Sequence, residues 1–546
     1  MNRQYLFERN MLALSGKDAS LCSRLSAAET TRGYYRFLES RSGETIPARV
    51  DASGSAHPLH SLIDPEREGK RLMETLGNEG LVMLLGLGGG FSAQAALERE
   101  ETSLVLVIEY NIDSVAELLA SKDYVALFQD PRFHLLVDPD PEILEEYILD
   151  IYQPVLSGGI RTFPLRARTE YEKEAFIGAG EAVESALEKI SADYSVQAYF
   201  GTRWFSNVIR NLKKAENSPS PLSPIRRAAV AAAGPSLNIQ IPEIKEKRKN
   251  FFLIAADTSL PALVTEGIIP DAVVSIDCQH ISYYHFMEGL PEETLLFLDL
   301  ASPPLIASRS KEPHFFSGGH PLTRYISRAW RSFPELDTSG ANVTYAALSL
   351  AEKLGAQAIE VYGADFSYPS GLSYARGTYI HPYFEIRQNR LSSLESLHSN
   401  FLYRSPLEKK IKSDGSWYYE TKSLKFYREK LEGKSLLMNP EIIPAMGIGA
   451  PINIAAKNRT YAMSRDLSIF SQGPARMKAE KFLALYRQAI EALPPIGKDL
   501  KDEEQTILTT LLPAAAAFKR RMPLLKPYEL IEETKAWCIK EIDSAL

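Results

Sequence analysis

The chain has 546 residues, 45% of them hydrophobic and 24% charged, with a net charge of −7 and a pI of about 5.9. This is the balance of a folded protein with room for three or four domains of about 150 residues each, and it excludes wholesale disorder, a collagen-like repeat and a disulfide mini-fold. An acidic chain without a Lys/Arg stripe is also no nonspecific nucleic-acid binder, because neutralising phosphates takes clustered cations.

The opening MNRQYLFERNMLAL lacks the cationic start and clean apolar run of a leader peptide. The longest apolar stretch, residues 81–91, falls short of the roughly 18 residues that would suggest a spanning helix. The expected location is therefore the cytoplasm, with no membrane span. Cys22, Cys278 and Cys538 are too scattered for a disulfide framework or a thiolate metal site and read as reduced thiols.

Residues 1–70 form a mixed segment punctuated by Gly, Ser and Pro. At its end Asp64-Pro65-Glu66 reads as an N-cap, a first-turn proline and a helical acid. The run LVMLL at 81–85 has the unbroken apolar character of a buried parallel strand. Gly86, Gly88, Gly89 and Gly90 then make a tight turn, Phe91 opens a helix, and LVLVIEY is a strand reaching Glu109. This is the βαβ pattern of a Rossmann-like domain, expected over 71–216. The glycine turn could hold a phosphate or cofactor with Glu109 on a ribose, or serve only as scaffold. A further strand is expected at 133–137 and mainly helix over 170–215. The proline-rich NSPSPLSP at 217–224 predicts a linker and a domain boundary.

The alternation restarts in a second domain, expected over 225–460. AAVAAAGPSL is strand then turn, FFLIAAD a strand ending at Asp257, DAVVSID one ending at Asp277, TLLFLDL one ending at Asp299, and AIEVYGADF one ending near Asp365. VTYAALSLAEKLGA is a helix stopped by Gly355. Residues 380–450, rich in aromatics and charges, predict a lid or acceptor-binding insertion, and 465–546 a C-terminal helical domain. The fold class is α/β: two Rossmann-like doubly wound parallel-sheet domains plus a C-terminal helical bundle.

Ligands of such sheets bind at the carboxyl ends of the strands, where Asp257, Asp277, Asp299 and Asp365 all lie. Three clusters there can carry chemistry. Gly234-Pro235-Ser236 follows a strand and opens a helix whose N–H groups suit an anion. Asp337-Thr338-Ser339-Gly340 precedes another helix with two hydroxyls and a glycine. The loop after Asp365-Phe366 carries Tyr368 and Tyr374, whose phenols can donate to a departing phosphate oxygen without a metal.

With HPLHSLIDPEREGKRL and the glycine turn before it, the Gly-Pro-Ser-Leu domain resembles the bacterial motility accessory factor glycosyltransferases. That family shares its central domain with the archaeal 6-hydroxymethylpterin diphosphokinases, a pattern carried here by AAGPSL, IAADTSLPALVTEGIIPDAVVSID and SGANVTYAALSLAEKLGAQAIEVYGADF. The same stretches are similar to the family 42 sialyltransferases, which use a CMP-sugar. That likeness implies donor binding by Gly234, Pro235, Ser236, Asp257, Asp277, Thr338, Ser339, Gly340, Asp365 and Phe366, with Tyr368 and Tyr374 assisting phosphate departure. One extra residue separates the two tyrosines here. Sialyltransferases carry asparagine where this chain has Ala233, Asp257 and Asp277, and their late catalytic histidine has no counterpart. His381 is the expected base, with His398, Asp414 and Glu420 as alternatives.

The resemblance implies transfer of a nonulosonic sugar from a CMP-sugar to Ser or Thr of flagellin, with no cofactor and no metal. Two alternatives stay open. One is a pterin diphosphokinase holding Mg²⁺ on Asp257 and Asp277; the other is a non-catalytic flagellin-binding assembly factor.

Overall fold

The computed structural model describes residues 3–169, 171–217, 219–455, 473–495 and 500–546. The chain forms two compact units, Met1–Tyr199 with Phe518–Leu530, and Phe200–Ala517 with Ile531–Leu546.

In the first unit, strands β1 (Tyr35–Glu39), β2 (Thr45–Val50) and β3 (Ala56–Pro58) pair as an antiparallel meander. Asp64 caps the next helix, Pro65–Met73, by accepting the Arg67 N–H at 2.9 Å. Strands β4 (Glu79–Leu85), β5 (Leu104–Glu109), β6 (Phe133–Val137) and β7 (Gly159–Pro164) form an all-parallel sheet ordered β6-β5-β4-β7. The order reverses between β4 and β7, the place where such sheets open a ligand crevice.

Here the chain fills that crevice with its own side chains. Gly86, Gly88 and Gly90 have φ of 109°, 52° and 79°, so the turn needs glycine. Gly89 N–H donates to His60 Nε2 at 2.9 Å, and Tyr124 Oη donates to the Gly88 carbonyl at 2.7 Å. A Cβ on Gly88 would lie 2.5 Å from His60 Nε2. Glu109, fully buried, accepts the Leu87 N–H at 2.6 Å and pairs with the equally buried Arg168 at 2.6 Å. Of the two readings open for this turn, the ribose role is ruled out at Glu109, which is spent on an internal ion pair, and the scaffold reading stands.

In the second unit seven parallel strands lie in the order β12-β11-β10-β9-β8-β13-β17. The seven are β8 (Arg227–Ala231), β9 (Phe252–Ala256), β10 (Ala272–Ser275), β11 (Leu295–Asp299), β12 (His314–Phe316), β13 (Ala358–Tyr362) and β17 (Glu441–Pro444), and between the last two in the chain β14 (Tyr368–Pro369), β15 (Glu408–Ile411) and β16 (Trp417–Glu420) make a separate small antiparallel sheet. Alternate residues of each strand serve opposite cores. Ala229, Leu253, Val273 and Leu298 pack one face and Val230, Ile254, Val274 and Phe297 the other, as period-two geometry requires. The strand order reverses between β8 and β13, so the switch point joins the Gly234-Pro235-Ser236 turn to the Asp365 loop.

Two expected limits take a different form. The units divide between Tyr199 and Phe200, inside the helix Lys173–Asn211, because Phe205, Val208, Ile209 and Leu212 are buried in the core of the second unit. The proline stretch at 217–224, of which Ser218 lies outside the described residues, leads into β8 within that unit. The C-terminal helices Ala479–Glu491, Asp502–Arg521 and Pro527–Asp543 share a core with the sheet, through Phe482, Tyr486, Leu511 and Ile542. The start of the expected helical domain, up to residue 472, lies outside the described residues. The 380–450 segment contains helices and part of the small sheet, then returns to the main sheet as β17.

Removing one partner of a buried ion pair strands the other charge, at a cost of about 3–5 kcal/mol. Arg168 keeps a second partner in Glu172 at 2.7 Å, so Glu109→Gln should destabilise the first unit by up to that amount, whereas Glu109→Leu with Arg168→Met should cost less. Trp204, Trp330, Trp417 and Trp537 all lie in the second unit, so the measurement is hydrogen exchange of the β4–β7 amides. Unchanged exchange in Glu109→Gln would show that the pair contributes nothing.

Candidate active site at the carboxyl rim of the second sheet

The rim is built from the ends of adjacent strands. At the switch point Asp365, 4% exposed, accepts the Ser236 N–H at 2.7 Å and the Ser236 hydroxyl. The helix Ser236–Lys247 therefore already holds an anion at its start, and that anion is the chain's own carboxylate. Burial pushes the Asp365 carboxyl up, and the Ser236 bonds work against this. Gly234 N–H donates to the Gly363 carbonyl at 2.8 Å, and a Cβ on Gly234 would sit 2.3 Å from Asp365 Oδ2. Pro235 supplies the turn into the helix at φ −55°. These residues fix the next loop, which Ala375 N–H ties back to the Ala233 carbonyl at 2.9 Å. Within that loop Phe366 and Ser370 have φ of 43° and 49°, strained values for residues with a Cβ.

Along the rim, Asp257 is 1% exposed. It accepts the Thr258 N–H at 2.7 Å, the Thr258 hydroxyl at 3.1 Å and the Ser275 hydroxyl at 2.6 Å. Asp277 accepts the Gln279 N–H at 2.9 Å, and burial, then the Asp257 charge, push its carboxyl up. Asp299 accepts the Ala301 N–H at 2.7 Å, and burial pushes it up to about 6. The loops after β10 and β11 are clamped by two asparagines of the long helix. Asn207 donates to the Cys278 and Ala301 carbonyls, and Asn211 to those of Leu300 and Ser302, at 2.8–3.0 Å.

Thr338 lies beside Asp299. Its hydroxyl donates to the Gly318 carbonyl at 3.2 Å, and a Cβ on Gly318 would lie 2.3 Å from Asp299 Oδ2 and 3.1 Å from Thr338 Oγ1. Gly340 packs on the Tyr345 ring, where a Cβ would approach to 2.2 Å. Ser339 is exposed and donates its N–H to Asp337, which Lys434 and Tyr345 hold at 2.7 and 2.9 Å. Ala341 is again at positive φ, 54°. Three of the four non-glycine residues with positive φ among those described thus fall in the two rim loops.

Tyr368 and Tyr374 come together with two residues that the motifs did not single out, Tyr379 and Arg404. The Tyr374 ring is 6.3 Å from that of Tyr379 and 6.0 Å from that of Phe401, and the Arg404 guanidinium lies 4.0 Å over Phe401. The Arg404 charge works against the rise of the Tyr368 phenol. Burial pushes all three phenols up, so they stay protonated donors near neutral pH.

A second residue outside the motifs is His285. It is 7% exposed, and its ring packs edge-on against Tyr379 at 4.6 Å. Its Nε2 lies 3.4 Å from Thr258 Oγ1. The Thr258 hydroxyl hydrogen goes to Asp257, so this oxygen must accept from Nε2–H. That fixes the tautomer and leaves Nδ1 as a lone pair, which finds no partner among the described residues. The sequence signal was there, in HISYYHF directly after the Asp277 strand end, but it has no motif spacing. His381 instead pairs its ring with His398 at 5.4 Å. Asp414 accepts from Ser416 in an exposed turn, and Glu420 is paired with Arg428 at 2.7 Å.

Comparison with known proteins agrees with this architecture. Residues 205–371 match the family described as 6-hydroxymethylpterin diphosphokinase MptE-like. A Treponema pallidum (strain Nichols) protein of uncharacterized function is 30% identical over 164 residues, which is 30% of this chain and 78% of its own length. The chain belongs to the family of that Treponema protein. Two further uncharacterized Treponema pallidum proteins are 35% and 29% identical over 27% and 35% of this chain, and the matches span only 54% and 34% of their own lengths. Among solved structures, the MAf glycosyltransferase from Magnetospirillum magneticum AMB-1 superposes over 100% of this chain and 96% of its own, with a TM-score of 0.58 at 14% identity, a likeness of fold. No helix among the described residues is long and apolar enough to cross a membrane.

Asp299 tests whether the rim is held at the expense of stability. Its folded value of about 6 lies above the roughly 3.9 of an unfolded aspartate. Its contribution is therefore complete below about pH 4 and lost as pH rises through 6. Asp299→Asn should stabilise the second unit by about 1–3 kcal/mol at pH 8 and by only about a third of that at pH 4.5. Urea unfolding followed by tryptophan fluorescence checks this; a gain independent of pH would refute it.

Proposed function

We propose that the chain is a glycosyltransferase that moves a nonulosonic sugar from a CMP-sugar to Ser or Thr hydroxyls of flagellin. The observation that carries the transfer chemistry is the chain of contacts that joins Tyr374 through Tyr379 and His285 to Thr258 and the strand-end Asp257. The superposition on a MAf glycosyltransferase supports it over the whole chain. The sugar class and the flagellin acceptor rest on the resemblance of the motifs.

In this reading Thr338, Ser339 and Gly340 line one side of the donor. Asp257 and Asp277, at the ends of β9 and β10, accept from its hydroxyls. Gly234, Pro235, Ser236, Asp365 and Phe366 hold the tyrosine loop in place rather than gripping phosphate with the helix start. Tyr368 and Tyr374 donate to the phosphate oxygen as its bond to the anomeric carbon breaks, and burial keeps both protonated for that task. His285, which packs on Tyr379 and meets Thr258 beside Asp257, takes the acceptor proton, and His381, whose Nε2 equally finds no partner among the described residues, is the alternative base.

The diphosphokinase alternative needs Mg²⁺. Asp257 already spends both oxygens on Thr258 and Ser275, and Asp277 spends one on Gln279. Among the described residues no three His, Cys, Asp or Glu side chains converge as a cage. The proposed transfer needs no cation.

Losing one donor to a developing oxyanion costs about 10²–10³ in turnover. Tyr374→Phe should lower transfer from a CMP-sugar by at least about tenfold with the fold intact, and transfer by the unmodified protein should survive EDTA. Unchanged turnover in Tyr374→Phe would remove that phenol from the mechanism. Mass spectrometry of flagellin from cells with and without this chain checks the acceptor.

A further inference from the structure

Strands β14, β16 and β15 set Tyr368, Tyr419 and Lys409 in one cross-strand row, so the three side chains share a face of the small sheet. Trp417 and Ile411, paired two residues along, lie on the same face. Trp417 packs edge-on against Tyr419 at 5.1 Å. Tyr403, at the end of the helix Leu394–Leu402, does the same at 6.0 Å, with its hydroxyl 3.4 Å from that of Tyr419. The Lys409 ammonium stands 4.6 Å over the Trp417 ring. The opposite face, with Pro369, Tyr418 and Glu420, is buried.

The first face is open. Tyr403 is 60% and Ile411 72% exposed. Lys409 is exposed and has no ion-pair partner among the described residues, whereas its neighbour Lys410 holds Glu408 on the other side of the strand. Residues 376–412 carry seven Lys and Arg against three Asp and Glu, in a chain of net charge −7. A face that begins at Tyr368 thus offers rings, an aliphatic side chain and one unpaired cation for a partner to cover.

We propose that this face is the platform on which an acidic, apolar polypeptide segment of the acceptor lies. Its carboxylate meets Lys409, and its aromatic or aliphatic side chains cover Trp417, Tyr419, Tyr403 and Ile411. Only the placement of the acceptor hydroxyl at Tyr368 rests on the transferase reading. From Tyr368 to Lys409 is two strand spacings, about 10 Å, which an extended chain covers in about three residues. The preferred acceptor therefore has Asp or Glu about three positions from its Ser or Thr, with apolar residues between. A glycan is the poorer fit, because its hydroxyls call for carboxylates or amides. The two acids of these strands, Glu408 and Glu420, lie on the other face, and Ile411 gives a hydroxyl nothing.

The test is calorimetry on the full chain with two capped heptapeptides, Glu-Leu-Phe-Ser-Phe-Leu-Glu and Lys-Leu-Phe-Ser-Phe-Leu-Lys, whose symmetry makes chain direction immaterial. The unmodified protein should bind the glutamate peptide at least about tenfold more tightly than the lysine peptide. Lys409→Glu should reverse that order, which loss of fold cannot do. Ile411→Ser should weaken the glutamate peptide at least about threefold.

A preference that survives Lys409→Glu, or no binding of either peptide to the unmodified protein, overturns the platform. So does Lys409-dependent binding of phosphatidylglycerol vesicles or of an oligouridylate without the peptide preference, which assigns the face to a membrane or to a nucleic acid. Incubating the bound glutamate peptide with a CMP-sugar tests the transferase reading separately. A peptide whose binding reverses in Lys409→Glu but that gains no sugar leaves the platform standing and counts against the reading.

Discussion

The second unit depends on one carboxylate at one place. Asp365 sits where the strand order reverses and closes the start of the helix after β8 with its own charge. A helix N-terminus attracts anions through its unpaired N–H groups. By satisfying them internally, Asp365 ties β13 to β8 and fixes the exit direction of the loop that follows. The glycines around it, Gly234 and Gly449, are needed because any side chain there would collide with the carboxylate. The strained φ at Phe366 and Ser370 is tolerated because that clamp holds the loop at its origin. The phenols are therefore placed by a bond made several residues away from them.

This changes the meaning of the Gly-Pro-Ser turn. In a phosphate-binding helix start the N–H groups face a ligand. Here they face Asp365, and the chemistry moves outward to the tyrosine loop and to Arg404. The aspartate row shows the same economy. Asp257 and Asp277 are held by hydroxyls and backbone N–H groups rather than by cations, and burial pushes the Asp277 carboxyl up. Asp299 goes further and stays costly to ionise. Groups kept against their own stability belong to rims that do something.

The strands and their carboxyl-end acids were legible from composition alone. Short unbroken apolar runs such as LVMLL and FFLIAAD have only one stable placement, between two helical layers. The end of each run locates the rim, so Asp257, Asp277, Asp299 and Asp365 fall into place without any three-dimensional information. What the sequence left open is how the side chains are partnered. Glu109 and Asp365 read alike, as acids ending strands beside glycine turns. Nothing local says that one meets Arg168 and the other a serine hydroxyl. Arg404 and His285 were illegible for a related reason: Arg404 comes back across tens of residues of intervening chain, His285 follows the Asp277 strand end directly, and neither segment has motif spacing. The division within the long helix escaped for the opposite reason. Prolines break helices, but burial of Phe205 and Leu212 decides where a compact unit begins.

The two parallel sheets make a controlled comparison within one chain. Both reverse strand order beside a glycine-containing turn, and both place an acid at the end of a neighbouring strand. In the first, that acid is neutralised by Arg168, the turn N–H is taken by His60, and Tyr124 covers the turn. The acid and the turn N–H are consumed there, but Arg168 Nη2 and the Tyr35 and Tyr110 hydroxyls stay buried without a partner among the described residues. In the second, the acid at the switch point is also consumed, while Arg404 stands exposed beside the tyrosine loop. Unmade bonds thus occur beside both sheets, and what separates them is access, since a donor sealed in the interior has nothing to offer a substrate. The functional content of the molecule therefore lies less in its Rossmann-like architecture than in which of its unmade bonds a ligand can reach.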